Sequence, residues 1–296
     1  MVHEAPGGYA RPPDPGPGAG GARAYLNVVY AAVQGYRPLR LDLRTPPGDG
    51  PWPVVVEIHG GAWWENNRLL TPQAPERADF RDRLLRRGYA LAEIEYRLSR
   101  EAVFPAQLHD VKAAIRWLRA FATWLRLDPG RFAAWGDSAG GHLAALAGLT
   151  GQGTDRDLEG GIGVPDVSSA VHAVVDWYGV AALVDDRGEP AIPAAGAEDP
   201  GAWLLGGPVR RHRAAAVRAG PVSHVHGAAP PFLCVHGTAD DIVPFAQSEL
   251  LTAALLGAGV RCDLHPVPGG GHGFGPVETP ALIDLCLDFL DQVLRP

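Results

Sequence analysis

Short runs of β-branched and aliphatic residues alternate along the chain with longer segments in which apolar side chains recur every three or four positions. Residues 25–33 and 39–43 have strand character. In the second, Leu39, Leu41 and Leu43 alternate with Arg40 and Asp42, as a half-exposed strand does. The apolar run 54–58, closed by His59-Gly60-Gly61, predicts a buried strand running into a loop. A helix over 72–88 ends on Arg86-Arg87-Gly88, cations in the last turn before a C-cap glycine. After a strand at 89–96, Pro105 opens a long helix with Leu108, Val111, Ile115 and Leu118 on one face and Arg116 and Arg119 on the other. Asp128-Pro129-Gly130 breaks the chain before a short apolar strand from Phe132, a glycine-bounded turn around Ser138, and an Ala/Leu-rich helix. Strands at 170–178 and 232–235, a helix at 245–257, an alternating strand at 260–267 and an amphipathic helix at 280–294 complete the pattern.

Strand and helix taken in turn imply parallel pairing with right-handed crossovers, hence an α/β fold. The first two strands are expected to open the sheet as an antiparallel pair. One domain over 25–296 fits the length. Residues 1–24, dominated by Pro and Gly, read as a flexible tail. A polyproline ligand is disfavoured, because no regular PxxP array with basic anchors appears. Residues 180–229, rich in Gly, Pro, Ala and charge, read as an insertion placed where a lid or pocket wall would sit, with a short helix around 208–219.

Composition narrows the function by exclusion. Net charge is -7 with no run of Lys or Arg, which argues against a nucleic-acid partner; Lys112 is the only lysine. Cys234, Cys262 and Cys286 lie far apart in apolar segments and read as buried thiols, with neither a disulfide framework nor a CxxC motif. No signal-peptide pattern and no membrane-length apolar run is seen, so a soluble, cytoplasmic protein is expected.

The chemistry starts at Gly136-Asp137-Ser138-Ala139-Gly140. Glycines two residues either side of a serine, between a strand and a helix, let the backbone turn so sharply that the hydroxyl stands clear of the sheet. A serine that attacks a carbonyl needs a base, a carboxylate to orient the base, and donors for the oxyanion. His272, in a flexible Gly269-to-Phe274 loop after the 260–267 strand, can supply the first. Asp240 or Asp241, following the 232–235 strand, can supply the second. The chain order Ser, Asp, His is that of α/β-hydrolases.

Four stretches together, His59-Gly60-Gly61-Ala62-Trp63, Gly136 to Gly141, His236-Gly237-Thr238-Ala239-Asp240-Asp241-Ile242-Val243-Pro244 and Gly271-His272-Gly273-Phe274, resemble the α/β-hydrolase superfamily. Within it, the chain is similar to the hormone-sensitive-lipase-like and bacterial feruloyl and acetyl-xylan esterase-like branch. Tyr96 to Ser99, Phe104 to Asp110 through Arg116 to Arg119, and Asp176 to Gly179 extend the resemblance, which runs from about residue 25 to the end. It implies an α/β-hydrolase fold: a mostly parallel central sheet, helices on both faces and a small lid. It implies Ser138 as nucleophile, His272 as general base and then acid, and Asp240 as orienter, in register with Val243 and Pro244; Asp241 is the alternative. The oxyanion hole would use Ala139 N–H with Gly61 and Ala62, and Gly60 in reserve. Trp63 and Trp64 are candidate substrate-binding residues, with burial against the sheet edge the competing expectation.

Other residues read as structural. His59 and His236 are expected to brace loops, His109-Asp110 to be structural at the start of a helix, and Asp137 to brace the loop beside Ser138 or tune its charge, without a catalytic part. His224 and His226 with His212 lack a supporting carboxylate or cysteine pattern, so no metal is assigned, and a Ser-Asp-His triad needs no cofactor. One departure is that Val180-Ala181-Ala182-Leu183 follows Gly179 where relatives carry Pro-Thr-Asp-Leu, which removes a polar group that would brace the loop or face the pocket. The expected activity is a carboxylesterase acting on small or medium acyl esters, its partner a small-molecule ester. An amide hydrolase, arylformamidase-like or exopeptidase-like, and a non-catalytic binding protein on the same scaffold are the alternatives.

Overall fold

Val54, Val56 and Ile58 enter one hydrophobic core while Val55 enters another, and Phe132 and Ala134 likewise oppose Ala133 and Trp135. Both faces of the central strands are therefore buried, as parallel strands under crossover helices require. The computed structural model describes residues 9–65, 75–151, 155–192, 199–275, 277 and 279–295. Nine strands form one sheet: β1 (Gly16–Pro17), β2 (Arg23–Ala31), β3 (Leu39–Thr45), β4 (Trp52–Ile58), β5 (Ala90–Ile94), β6 (Leu127–Asp137), β7 (Ala173–Trp177), β8 (Phe232–Gly237) and β9 (Cys262–Val267). Their order is β1-β2-β3-β5-β4-β6-β7-β8-β9. Pairing is antiparallel from β1 through β3 to β5 and parallel from there to β9. This is the α/β-hydrolase fold.

The helices are α1 (Pro75–Arg86), α2 (Ala106–Ala120), α3 (Ala122–Leu125), α4 (Ala139–Thr150), α5 (Arg156–Glu159), α6 (Pro200–Leu205), α7 (Arg213–Ala219), α8 (Ala246–Gly257) and α9 (Pro280–Leu294). Helices α2 and α4 pack into the core that holds Val54 and Val56, while α1 and α9 cover the face that holds Val55 and Trp135. The start of the helix expected over 72–88 lies outside the described residues. No helix among the described residues is long and apolar enough to cross a membrane.

Two expectations from the pattern are corrected. Asp128-Pro129-Gly130 does not break the chain but lies inside β6, where a register shift against β4 absorbs it and Asp128 Oδ1 accepts the Gly130 N–H at 2.8 Å. Asp42 is not on an open face: it is 6 % exposed and its carboxylate accepts the Asn27 N–H at 2.7 Å. Within the segment 1–24, expected as a flexible tail, Ala10 and the two residues of β1 pair with β2. Ala10 N–H donates to the Val29 carbonyl (2.9 Å), the Trp117 indole N–H donates to the Ala10 carbonyl (2.8 Å), and Tyr9 meets the Phe121 ring edge-on. A few apolar anchors and backbone pairs are enough to order a segment of low overall hydrophobicity.

Candidate active site

Strand β4 sits between β5 and β6 although it precedes both, so the sheet changes winding direction there, and the loops beyond its carboxyl ends open a crevice. Four such ends bring the candidate residues together. His59-Gly60-Gly61 follows β4, Ser138 follows β6, Asp240 follows β8 and His272 follows β9.

The turn at Ser138 is set by close backbone approach. A side chain at Gly136 would collide with the Gly140 carbonyl, and one at Gly140 with the carbonyl of Ile58 on β4. Ser138 itself takes φ 53° and ψ −117°, a sparsely populated conformation for a non-glycine residue. Its N–H still donates to Trp177 O at 2.8 Å, continuing the ladder to β7, and helix α4 starts at the next residue.

From this strained position Ser138 Oγ lies 3.0 Å from His272 Nε2, and His272 Nδ1 lies 2.7 Å from Asp240 Oδ2. The geometry thus gathers Ser138, His272 and Asp240, while Asp241 is exposed and makes no such contact with His272. Asp240 Oδ1 accepts the N–H groups of Ile242 and Val243, both at 2.9 Å. Burial alone would push this carboxyl's pKa up, but hydrogen bonds from His236, His272 and the Val243 N–H outweigh it and hold Asp240 well below the ordinary carboxylate range.

The loop of His272, expected to be flexible, is tied to the loop of Asp240. Thr238 N–H donates to Val267 O (3.0 Å), Ala239 N–H to Gly270 O (2.9 Å) and Gly269 N–H to Thr238 Oγ1 (2.9 Å). Tyr178 places its ring edge-on to the His272 imidazole at 4.7 Å, and Phe274 packs on Tyr178 and Trp177.

Around the expected oxyanion hole, Gly61, Ala62 and Trp63 all have positive φ, at 104°, 50° and 63°. Within the described residues no hydrogen bond engages the N–H groups of Gly61, Ala62 or Ala139. The reserve donor, Gly60 N–H, is committed to Asp137 Oδ1 at 3.1 Å, which is how Asp137 braces the turn. Trp63 is corrected as a substrate contact: it is 2 % exposed, part of the core, and its indole N–H donates to His142 Nδ1 at 3.1 Å. Trp64 stays half-buried, edge-on to Trp203 of α6, with the Arg100 guanidinium over both rings.

Several other histidines make hydrogen bonds or ring contacts within the chain. His224 and His226 bond the carbonyls of Arg218 and Leu149, His109 that of Asp157, and His59 stacks on Tyr96. His236 bonds Ser248 Oγ (2.7 Å) and Val243 O (2.9 Å) but also reaches Asp240 Oδ2 at 3.3 Å, a contact that the sequence reading missed. Its signal was the spacing His236-x-x-x-Asp240, four residues around a tight turn. The bracing lost at Val180-Ala181-Ala182-Leu183 is supplied from elsewhere, because Gln247 Oε1 of α8 accepts the N–H groups of both Ala181 and Ala182 at 2.8 Å.

Comparison with known proteins follows from this geometry. The chain matches the family described as BD-FAE over residues 41–255. It is 31 % identical to Esterase LipQ of Mycobacterium tuberculosis, over 94 % of this chain and 65 % of that protein. It is 32 % identical to Esterase LipC of the same organism, over 86 % of this chain and 61 % of that protein. The chain thus spans less than two thirds of the length of these curated relatives. A solved structure of a truncated form of a carbohydrate esterase from gut microbiota superposes with a TM-score of 0.81 at 32 % identity, covering 95 % of this chain and 100 % of that one.

Proposed function

Because the chain belongs to the BD-FAE family of α/β-hydrolases, we propose that it is a serine carboxylesterase that cleaves small or medium acyl esters through an acyl-enzyme intermediate. The observation that carries this reading is the unbroken chain of contacts from Ser138 Oγ through His272 to the buried Asp240 carboxylate. The names of its relatives, esterases and a carbohydrate esterase, support the ester over the amide.

In this mechanism Ser138 Oγ bonds to the ester carbonyl carbon as its proton passes to His272 Nε2. Asp240 holds the Nδ1–H tautomer and stabilises the imidazolium that forms. The carbonyl oxygen, now an anion, is met by the N–H of Ala139 at the start of α4 and by those of Gly61 and Ala62. His272 then returns its proton to the departing alcohol, leaving Ser138 acylated. Water repeats the sequence, releasing the acid and restoring the serine. Trp64, in the loop after β4, and Trp203, on the segment 178–231 between β7 and β8, form an aromatic wall for the substrate. Asp240, rather than Asp241, orients the base.

Labelling with a fluorophosphonate probe, parent against Ser138→Ala, tests the reading. A panel of nitrophenyl esters, feruloyl esters, acetylated sugars and N-formyl aryl amines then follows. Ser138-dependent labelling with ester turnover is expected. Labelling that survives Ser138→Ala overturns the nucleophile, and a preference for the formamides overturns the ester assignment.

A further inference from the structure

The loop after β4 is held in a costly conformation. Left-handed backbone is free to Gly61, but a side chain at Ala62 or Trp63 makes it strained. Such a run persists only if its surroundings fix it. The Gly61 carbonyl accepts the N–H groups of Trp64 and Glu65, both at 3.1 Å, and two further ties hold Trp63. Its carbonyl accepts Ser99 N–H at 2.8 Å and Ser99 Oγ–H at 3.2 Å, and its indole N–H donates to His142 Nδ1 at 3.1 Å with the two rings edge-on.

His142 belongs to α4, and its own N–H donates to Ser138 O at 3.0 Å. The ring is fully buried. An indole N–H can only donate, so Nδ1 is the acceptor and the ring proton sits on Nε2. Nε2–H then donates to the carbonyl of Ala219, the last residue of α7, at 2.7 Å. Burial pushes the ring pKa down to about 4, so it stays neutral and keeps this tautomer at neutral pH. One imidazole therefore joins the Gly61-to-Trp63 loop, the nucleophile's helix and the segment between β7 and β8.

We propose that His142 is a positioning residue: through Trp63 it sets the N–H groups of Gly61 and Ala62, and through Ala219 it couples their position to the segment that walls the pocket. This rests on the esterase reading above. The reaction strengthens contacts to the oxyanion more than to the ground state, so a loosened loop lowers kcat and leaves KM nearly unchanged.

The two arms can be cut separately. His142→Gln presents an amide N–H near the Nε2 position, toward Ala219, and gives up the acceptor for Trp63. His142→Asn presents its carbonyl near the Nδ1 position, toward Trp63, and gives up Ala219. Trp63→Phe removes the same bond as the Gln variant from the other side. On p-nitrophenyl acetate, His142→Gln and Trp63→Phe are expected to lose kcat by roughly ten- to a hundredfold with KM within about twofold. Affinity for a trifluoromethyl ketone should fall in parallel, and His142→Asn should lose less of both. In the Asn variant, hydrogen exchange of the α7 amides should rise instead. Wild-type kcat in folded Trp63→Phe and His142→Gln, or equal losses in the Gln and Asn variants, overturns the proposal. Thermal melts identify a variant that has lost its fold, and Trp63→Phe, which keeps an aromatic ring in the core, carries the test in that event. Ser138→Ala run alongside separates the two claims. Turnover that survives it defeats the esterase reading, whereas its loss together with unaltered His142 variants defeats only the positioning role.

Discussion

His236 Nε2 lies 3.3 Å from Asp240 Oδ2, the same oxygen that holds His272 Nδ1 at 2.7 Å. Its Nε2–H is shared between that oxygen and Val243 O, while Nδ1 accepts from Ser248 Oγ–H. Removing this donor leaves a buried carboxylate with one bond fewer, at a cost of roughly 1.5–3 kcal/mol in stability. His236→Leu is therefore expected to lower the urea midpoint and to reduce kcat by about tenfold or more. His236→Gln, which offers an N–H near the Nε2 position, should recover part of both losses.

The adjacent carboxylates are expected to behave unlike one another. Asp240→Asn replaces an acceptor by an amide that cannot hold the Nδ1–H tautomer, and a loss of about 10⁴ in kcat is the precedent for that change. Asp241 is exposed, and Asp241→Asn should leave kcat within about twofold. Steady-state kinetics of the two variants checks this; similar losses in both would move the assignment.

At Gly140 a single added methyl group meets the Ile58 carbonyl at a distance no side chain tolerates. Gly140→Ala should cost about 4 kcal/mol or more and give little folded protein. Gly257, at the end of α8 with nothing within 4 Å of an added Cβ, is the control. Gly257→Ala should melt within a few degrees of the parent.

Two buried groups give stability opposing slopes with pH. Asp176 is raised by burial from an ordinary 3.8 to about 6, so its contribution is full below pH 3.8 and lost as pH rises through 6. His142 is lowered by burial from 6.5 to about 4, so its contribution is full above pH 6.5 and lost as pH falls through 4. Each is worth about 3 kcal/mol. Asp176→Asn keeps an acceptor for the Gly179 N–H, which Asp176 Oδ1 holds at 2.8 Å, but does not titrate. Relative to the parent it should gain about 2 kcal/mol between pH 4 and 6.5, measured by urea unfolding at each pH. A constant difference across that range would contradict the burial argument.

The convergence of Ser138, Asp240 and His272 was legible because each stands in a local pattern that backbone sterics dictate: glycines around a strained serine, and short polar loops after apolar strands. Trp63 was ambiguous because sequence shows an aromatic residue beside a site but not which way its ring turns. The answer lies in His142, 79 positions away along the chain. Helices α5 and α6 escaped notice since each is too short for an apolar stripe, yet both carry a cap in plain view. Asp155 accepts the N–H groups of Asp157 and Leu158, and Asp199 accepts that of Ala202 just after Pro200. The contacts of the N-terminal run were not legible because composition averages over a segment, whereas they depend on single pairs such as Trp117 with Ala10.

The two rims of the sheet share a property. At one, β1 is a two-residue strand containing Pro17, with Pro15 just ahead of it; at the other, β9 carries Pro266 beside His265. Proline offers no N–H to an incoming strand, and short or charged edges discourage pairing. Among the described residues the sheet therefore ends at both sides in strands poorly suited to pair with another chain, a defence against edge-to-edge aggregation.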